Sequence, residues 1–203
     1  MSTLARWTLG WTIAILVTVV PFFYYRWCYT YSKRLREIVP GRVYRSGQLT
    51  ADGFAEAVKR YHFRTIINLQ DDFPNPDISL NYFTLTTLTE YELCKRLGVR
   101  FVAIAPDTIS RAQGPGAHPE AIDRFLQVMD DPESYPVLFH CRAGLHRTGC
   151  MAAVYRMEYQ GWTPRQAFLE MKANGFGEFA CSSANDYVQE YVLAYQPRDP
   201  RQP

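Results

Sequence analysis

The sequence predicts an α/β domain, a central sheet flanked by helices, that follows an N-terminal transmembrane helix. Three observations support this fold class. The 19 residues from Trp7 to Tyr25 carry no charge, and a helix of that length spans roughly 28 Å, about the apolar thickness of a bilayer. From residue 42 onward, short apolar runs typical of strands alternate with helical patterns. One strand, at residues 137–139, leads through a glycine-containing loop straight into a helix.

The N-terminal apolar run has the flanks of an uncleaved membrane anchor. Aromatic residues crowd both of its ends, where interfacial anchors are usual. Arg6 precedes the run, whereas Arg26 and three basic residues within 33–36 follow it, which places the following chain in the cytoplasm. A cleaved signal peptide is the alternative, but no small-x-small site follows the run. We therefore expect a single-pass membrane protein, with residues 1–28 as the anchor and residues 29–41 as a basic linker.

The body of the chain, residues 42–196, is expected to form one domain. Strands are predicted at residues 43–45, 65–69, 100–104 and 137–139. Helices are predicted at residues 51–61, 90–97, 119–129, from 151 to about 160, 163–172 and 183–195. Prolines and glycines make residues 71–87 and 106–118 long loops. A proline-rich, flexible tail is expected at residues 197–203.

Composition excludes several classes of protein. An apolar fraction of 47% is that of a globular chain. A net charge of +2 with no basic stripe in the body predicts no nucleic-acid partner. Five scattered cysteines, an odd number, do not form the framework of a secreted disulfide-rich protein. A reducing compartment such as the cytosol is therefore expected.

The chemistry of the chain is concentrated between Pro136 and Gly149. Cys141 opens a loop that Arg147 closes, between the end of a strand and the start of a helix. Such a junction presents unpaired backbone N–H groups and the positive end of a helix dipole to an anion. A thiol in this field should lose its proton more readily, and the thiolate is the nucleophile. Because Arg147 can hold two oxygens of a tetrahedral anion, the pattern indicates attack of sulfur on a phosphoryl group.

The motif His-Cys-x-x-Gly-x-x-Arg-Thr at residues 140–148 resembles the signature of the cysteine-dependent protein tyrosine and dual-specificity phosphatases. The resemblance covers roughly residues 42–195. The stretch Tyr-Arg-Ser-Gly-Gln at residues 44–48 is similar to a branch that includes bacterial dual-specificity-like enzymes and inositol pyrophosphate phosphatases. The resemblance implies a phosphatase-type phosphate-binding loop and hydrolysis through a phosphocysteine. No metal or cofactor is expected, because loop amides and Arg147 would stabilise the charge.

The resemblance also implies roles for the neighbours of Cys141. Thr148 would donate a hydrogen bond to the sulfur as it leaves in the second step, and His140 would orient the loop and support the thiolate. From the residues alone, Thr148 could be a helix N-cap, and one hydroxyl can serve both roles, while His140 could be a core histidine bonded to the backbone. The remaining loop residues are expected to surround the bound phosphate: Arg142, Ala143, Gly144, Leu145 and His146. Leu145 stands where inositol-phosphate members of the family often carry lysine.

A general acid must protonate the leaving oxygen. Asp107 follows a strand and precedes Cys141 by 34 positions, and the resembling family keeps its acid in a mobile loop at a similar distance. Only Pro106-Asp107 is left here of the Trp-Pro-Asp sequence found in the receptor-type enzymes. Asp71 and Asp72 are the alternatives, and each of the three could instead be a loop cap.

These observations predict a membrane-anchored cysteine phosphatase that acts on phosphotyrosine or phosphoserine/threonine proteins. A phosphoinositide or inositol (pyro)phosphate is the second substrate class. The non-enzyme alternative is a phospho-reader that binds without turnover, and intact Cys141 and Arg147 argue against it. A metal site built from His140, Cys141, His146 and Cys150 is disfavoured because no second ligand pair at finger-like spacing exists.

Overall fold

The computed structural model describes residues 2–28, 32–70, 89–104, 119–177 and 186–198. Within these residues the chain forms five strands: β1 Arg36–Val39, β2 Val43–Gly47, β3 Thr65–Asn68, β4 Arg100–Ala103 and β5 Val137–Cys141. The helices in the same residues are α1 Thr3–Trp27, α2 Ala51–Tyr61, α3 Glu90–Leu97, α4 Glu120–Asp130, α5 His146–Gln160, α6 Pro164–Ala173 and α7 Asp186–Ala194. The predicted α/β fold, a central sheet flanked by helices, is confirmed.

The sheet has the strand order β1-β2-β5-β3-β4. β1 is antiparallel to β2, and the other pairs are parallel. In the register, Gly47 of β2 pairs with Cys141 of β5, and Asn68 of β3 pairs with His140. The carboxyl ends of the three central strands therefore meet at one edge, which is where parallel sheets bind ligands.

Two apolar layers cover the sheet, because the side chains of a strand alternate between its faces. Val137, Phe139 and Cys141 of β5 belong to the larger cluster, which is completed by α4, α5, α6 and α7. Leu138 belongs to the second cluster, with Phe54 of α2 and side chains of α3. β5 is buried on both faces, as its uninterrupted apolar run predicts.

The helix ends follow the sequence signals closely. The predicted bounds of α2 and α3 are those observed, and Gly98 ends α3 with a left-handed backbone, φ 70°. The helix predicted from residue 163 begins with a capping box between Thr163 and Gln166. Pro119, however, is the N-cap of α4 rather than its first helical residue.

The segment expected to be a linker contains a strand. Arg36–Val39, within residues 29–41, pairs antiparallel with β2. The alternation of buried and exposed residues that marks a strand is not visible in the sequence, because only Ile38 of this edge strand is buried. Charged residues are usual on edge strands, and in the sequence these charges were read as the basic segment that follows a membrane anchor.

The beginning of the expected flexible tail is fixed to the domain. Arg198 forms ion pairs with Asp130 at 2.7 Å and with Glu158 at 2.9 Å. Tyr195 donates its hydroxyl to the same Glu158 carboxylate at 2.6 Å. Arg198 is therefore bonded to α4 and α5, a result of long-range pairing that proline content could not indicate.

Helix α1 is, among the described residues, the one helix long and apolar enough to cross a membrane. It has 25 residues and a mean hydropathy of 1.6 over its most apolar window, and none of that window is buried in the domain. Ser2 caps its first turn, and Pro21 lies within it.

Candidate active site

The catalytic loop, residues 141–147, joins β5 to α5. α5 begins at His146, so the N–H groups of its first turn have no acceptor inside the helix. Cys141 is 6% exposed at the end of β5. The predicted strand-loop-helix junction is thus present, with the dipole of α5 directed at the loop.

Gly144 lets the loop press against the end of β2. Its backbone is left-handed, with φ 72°, and a Cβ at this position would lie 2.6 Å from the Gly47 nitrogen and 2.8 Å from the Ser46 carbonyl. Both the backbone angle and the lack of space require glycine. Gln48 N–H donates to the Arg142 carbonyl oxygen at 3.1 Å, which closes the contact between the two segments.

The buried side chain of Arg45, on β2, is hydrogen-bonded to the backbone of the loop. It is 4% exposed, and its Nη2 donates to the Gly144 carbonyl oxygen at 3.0 Å. Burial lowers the pKa of Arg45 to about 10, an effect opposed by nearby anionic groups that include Cys141. At neutral pH Arg45 therefore stays charged and adds a buried positive charge near Cys141. In the sequence, the stretch at residues 44–48 served only as a family marker and gave no sign of this role.

Arg147 lies in the first turn of α5, at the mouth of the loop. Its Nη1 donates to the Leu69 carbonyl oxygen at 2.9 Å, just beyond the end of β3. Leu69 N–H in turn donates to the His140 carbonyl oxygen at 2.9 Å. The guanidinium predicted to bind phosphate is therefore held at the sheet edge where β3 and β5 end.

Thr148 is fully buried within the first turn of α5. Its hydroxyl donates to the Ser46 carbonyl oxygen at 3.5 Å. The N-cap of α5 is Leu145, which makes no side-chain capping bond, so the N-cap alternative for Thr148 is wrong.

His140 is fully buried, and its partner is a carboxylate rather than the backbone. Its Nε2 lies 2.7 Å from Oε1 of Glu90, which is 1% exposed. Oε2 of Glu90 accepts hydrogen bonds from Gln48 at 3.1 Å and from Asn68 at 3.2 Å. Glu90 could not be recognised from the sequence, because a glutamate in the first turn of a helix is common and its partner lies 50 positions away.

The other loop residues differ in exposure. Arg142 and Ala143 are exposed, whereas Leu145 is buried. The half-buried His146 packs edge-on against Phe176, with 5.5 Å between the ring centres. Burial lowers the pKa of His146, and the charge of Arg147 lowers it further. His146 therefore adds little positive potential at neutral pH.

The segment between α1 and β1 contacts the loop. The Cys28 carbonyl oxygen, at the end of α1, accepts from Lys33 N–H at 2.6 Å. The Lys33 carbonyl oxygen accepts from Gly47 N–H at 2.7 Å. Nη1 of Arg34 donates to the Ala143 carbonyl oxygen at 2.9 Å. The end of the apolar helix and the catalytic loop are therefore joined by a short chain of contacts that the sequence did not indicate.

The candidates for the general acid, Asp107, Asp71 and Asp72, lie outside the described residues. Asp71 and Asp72 follow β3 and Asp107 follows β4 along the chain. The described part of the site therefore contains the predicted nucleophile Cys141, the predicted anion-binding loop and Arg147 in the first turn of α5. A thiol, a helix N-terminus and a guanidinium are the groups that attack of sulfur on a phosphoryl group requires.

Comparison with solved structures identifies the class of fold. The catalytic core of Siw14 superposes with a TM-score of 0.58 at 20% identity, covering 82% of this chain and 86% of that one. TpbA of Pseudomonas aeruginosa superposes with a TM-score of 0.56 at 22% identity, covering 81% of this chain and 92% of that one. The domain thus has the fold of the cysteine-dependent phosphatases.

Comparison of the sequence with family models identifies the family of the chain. The model of the family described as "DSP-PTPase phosphatase fused to NAD+ Kinase" matches residues 31–189, and the chain belongs to this family. The dual-specificity protein phosphatase TpbA of P. aeruginosa is 51% identical over 59 residues, 29% of this chain and 27% of that protein. The inositol diphosphatase SIW14 of Saccharomyces cerevisiae is 26% identical over 159 residues, 77% of this chain and 49% of that protein. The chain spans half or less of the length of these curated relatives.

Proposed function

We propose that this protein is a phosphoric monoester hydrolase that uses Cys141 as its nucleophile. The observation that carries the proposal is the placement of the thiol. Cys141 ends a central strand, α5 directs its first-turn N–H groups at the adjoining loop, and Arg147 is fixed at the loop mouth by the Leu69 carbonyl oxygen. Membership of a phosphatase family supports the same reaction.

The reaction proceeds in two displacements. Sγ of Cys141 attacks phosphorus, an S–P bond forms, and the P–O bond to the leaving group breaks. Asp107 gives its proton to the departing oxygen. Water then attacks the phosphocysteine with loss of a proton to the same carboxylate, and sulfur leaves as thiolate. For this step the Thr148 hydroxyl turns its hydrogen bond from the Ser46 carbonyl oxygen to that sulfur, and the loop residues 142–147 hold the phosphoryl oxygens.

The substrate class that the site supports best is phosphorylated protein. TpbA, a dual-specificity protein phosphatase, is 51% identical to this chain over 59 residues. Leu145 is apolar and buried, so the loop interior has no lysine there for additional phosphates. The longer match to SIW14, an inositol diphosphatase, favours an inositol pyrophosphate as the second candidate.

The membrane is the proposed location of this activity. Helix α1 serves as a single-pass anchor, and the basic residues after it keep the phosphatase domain, residues 42–196, in the cytoplasm. Hydrogen bonds from the Cys28 carbonyl oxygen to Lys33, and from the Lys33 carbonyl oxygen to Gly47, keep the end of the anchor close to the catalytic loop. A phosphorylated segment close to the membrane surface would be within reach.

One panel of substrates tests the proposal. Phosphate release is measured from phosphotyrosine, phosphoserine and phosphothreonine peptides, inositol polyphosphates and pyrophosphates, phosphoinositides in vesicles, and a generic aryl phosphate. We expect turnover of phosphopeptides that Cys141→Ser abolishes. Binding of phosphopeptide without turnover of any compound would instead identify a phospho-reader, and turnover confined to inositol pyrophosphates would assign the second substrate class.

A further inference from the structure

Arg45 is a buried cation that the proposed reaction does not use. It pairs with Phe139 in the sheet, and residues paired between neighbouring strands point to the same face. Phe139 and Cys141 both belong to the larger apolar cluster, so Arg45 lies on the face of the sheet that carries Cys141. Its side chain reaches α5, where a Cβ on Gly149 would lie 3.8 Å from Nη2 of Arg45.

Within the described residues, no carboxylate is bonded to Arg45. Its Nη2 donates to the Gly144 carbonyl oxygen, and its Nη1 is buried without a hydrogen-bond partner there. Burial lowers the pKa of Arg45, and Glu170 is the carboxylate that most opposes this shift. Both oxygens of Glu170 are bonded to Arg156, at 2.6 and 3.1 Å. The guanidinium of Arg45 is therefore stabilised when a further negative charge comes close to it.

Three successive carbonyl groups of the catalytic loop accept hydrogen bonds from outside the loop. The carbonyl oxygens of residues 142, 143 and 144 accept, in that order, from Gln48 N–H at 3.1 Å, Arg34 Nη1 at 2.9 Å and Arg45 Nη2 at 3.0 Å. These peptide bonds are trans, so the N–H of each following residue points away from the carbonyl oxygen before it. In the described part of the chain, the N–H groups of residues 143–145 donate to no protein acceptor. They are therefore directed away from the three outside donors and are open to an anion.

Of the three outside donors, Arg45 is the one that is both charged and buried. The donor of Gln48 is a neutral backbone N–H, and the Arg34 side chain is partly exposed, so that water screens its charge. Arg45 lies behind the peptide that joins Gly144 to Leu145, whose N–H is on the other side. In a buried site of low dielectric, the charge behind the peptide and the N–H in front of it both attract an anion.

We propose that Arg45 is a positioning residue that makes the catalytic loop a site for dianions. It holds the Gly144 carbonyl oxygen on the β2 side of the loop, so that the Leu145 N–H faces the bound group, and it places one positive charge behind that peptide. A bound dianion supplies the negative charge that the protein does not bond to Arg45. The inference rests on the proposed function only in that a phosphoryl group is the natural ligand, because binding of an inorganic oxyanion is measurable without turnover.

Arg45→Met tests the proposal in the full-length chain, purified in a neutral detergent. The probes are tungstate, a dianion, and perrhenate, a monoanion of the same tetrahedral shape and similar size, and Kd is measured by isothermal titration calorimetry. Because Coulomb energy is proportional to the charge of the anion, loss of Arg45 should weaken perrhenate by about fivefold and tungstate by about 25-fold, the square of that factor. An equal loss for both anions, which a purely structural role predicts, would overturn the proposal, and so would unchanged binding.

Arg100→Met is the control for net charge. Arg100 also lies on a strand, but it begins β4, at the opposite edge of the sheet from the loop. Its partners are Asp131 and Ser134, at 3.1 and 3.2 Å. Both dissociation constants of this variant should stay within about twofold of wild type, because a distant exposed charge is screened. The same selective loss of tungstate in Arg100→Met would show that net charge alone matters and would overturn the proposal.

A crystal structure of the wild-type protein with tungstate decides if circular dichroism shows Arg45→Met unfolded. We expect the Gly144 carbonyl oxygen on Arg45 and the Leu145 N–H bonded to the anion. A Gly144 carbonyl turned away from Arg45, or a loop that holds no tungstate, would overturn the proposal. Selective loss of tungstate in Arg45→Met, together with no turnover of any phosphorylated compound by the wild type, would support the proposal and refute the proposed function alone.

Discussion

At the residue scale, two glycines with the same backbone angle have different consequences. Gly144 and Gly161 are both left-handed, with φ 72° and 66°. A Cβ on Gly161 would meet nothing within 4 Å, whereas one on Gly144 would lie 2.6 Å from the Gly47 nitrogen. A side chain at either position would therefore strain the backbone, but only a side chain at Gly144 would also collide with β2.

Gly144→Ala should impair both stability and catalysis. The added methyl group must push the loop away from β2 and displace the groups around Cys141, and a shift of about 1 Å can cost about 100-fold in rate. Gly161→Ala should cost only about 1–2 kcal/mol in the free energy of unfolding and leave kcat/KM unchanged. Denaturant unfolding and kinetics of both variants provide the measurement. Equal activity of the two would contradict the packing argument.

The general acid is a second prediction at this scale. Asp107→Asn should depress turnover of a phosphopeptide by about 100-fold or more and that of a highly activated aryl phosphate only weakly, because the activated oxygen leaves without a proton. It should also remove the fall in rate at high pH, which reports loss of the proton from the acid. The pH–rate profiles of both substrates are the measurement.

Asp71→Asn and Asp72→Asn are the controls for this assignment. Both should retain the dependence on the leaving group that the wild-type enzyme shows. If either of them produced the selective loss while Asp107→Asn behaved as wild type, the acid would belong to the segment that follows β3.

The sequence predicted the residues that a local motif contains and missed those that only the fold brings together. Cys141 and Arg147 are recognisable because their spacing spans a single strand-loop-helix junction. Arg45 and Glu90 lie 96 and 51 positions before Cys141, and parallel pairing of β2 with β5 and the packing of α3 bring them to the site. An arginine in a strand or a glutamate at a helix start gives no local sign of burial.

At the scale of elements, β2 and the segment before β1 form the support of the catalytic loop. The loop contacts the end of β2 through Gly47 and Gln48, and it contacts the preceding segment through Arg34. α2 and α3 were predicted to the residue because caps and breakers mark their ends. β1 was missed because the alternation of an edge strand with one buried residue is too short to detect.

Two truncations test this support. Removal of residues 1–28 should leave kcat/KM for a soluble aryl phosphate within about twofold, since the hydrogen bonds to the loop remain. Removal of residues 1–35 should lower it by at least about tenfold, because the contacts of Lys33 and Arg34 are lost. Equal activity of the two truncated proteins would contradict a supporting role for Lys33 and Arg34.

A point substitution in the full-length chain isolates one of these contacts. Arg34→Met removes the donor to the Ala143 carbonyl oxygen and keeps the aliphatic part of the side chain. Arg165→Met, at an exposed position on α6, is its control. Only the first should reduce activity.

At the scale of the whole molecule, we propose that the apolar helix α1 tethers the phosphatase domain to a membrane. We expect the protein to stay with membranes through a high-salt wash and to lose that association when residues 1–28 are removed. A reporter fused after Pro203 should be active on the cytoplasmic side, because basic residues follow the helix. Reporter activity on the opposite side would reverse the orientation, and recovery in the soluble fraction without the first thirty residues would mean that α1 is a cleaved signal.

The most direct test of the central claim is capture of the phosphorylated nucleophile. The enzyme is mixed with a phosphopeptide, quenched during turnover, digested and examined by mass spectrometry. Our account predicts one phosphoryl group on Cys141, absent from Cys141→Ser, which should also lose turnover. Full turnover by Cys141→Ser, with no phosphoryl group on Cys141 in the wild-type protein, would contradict it.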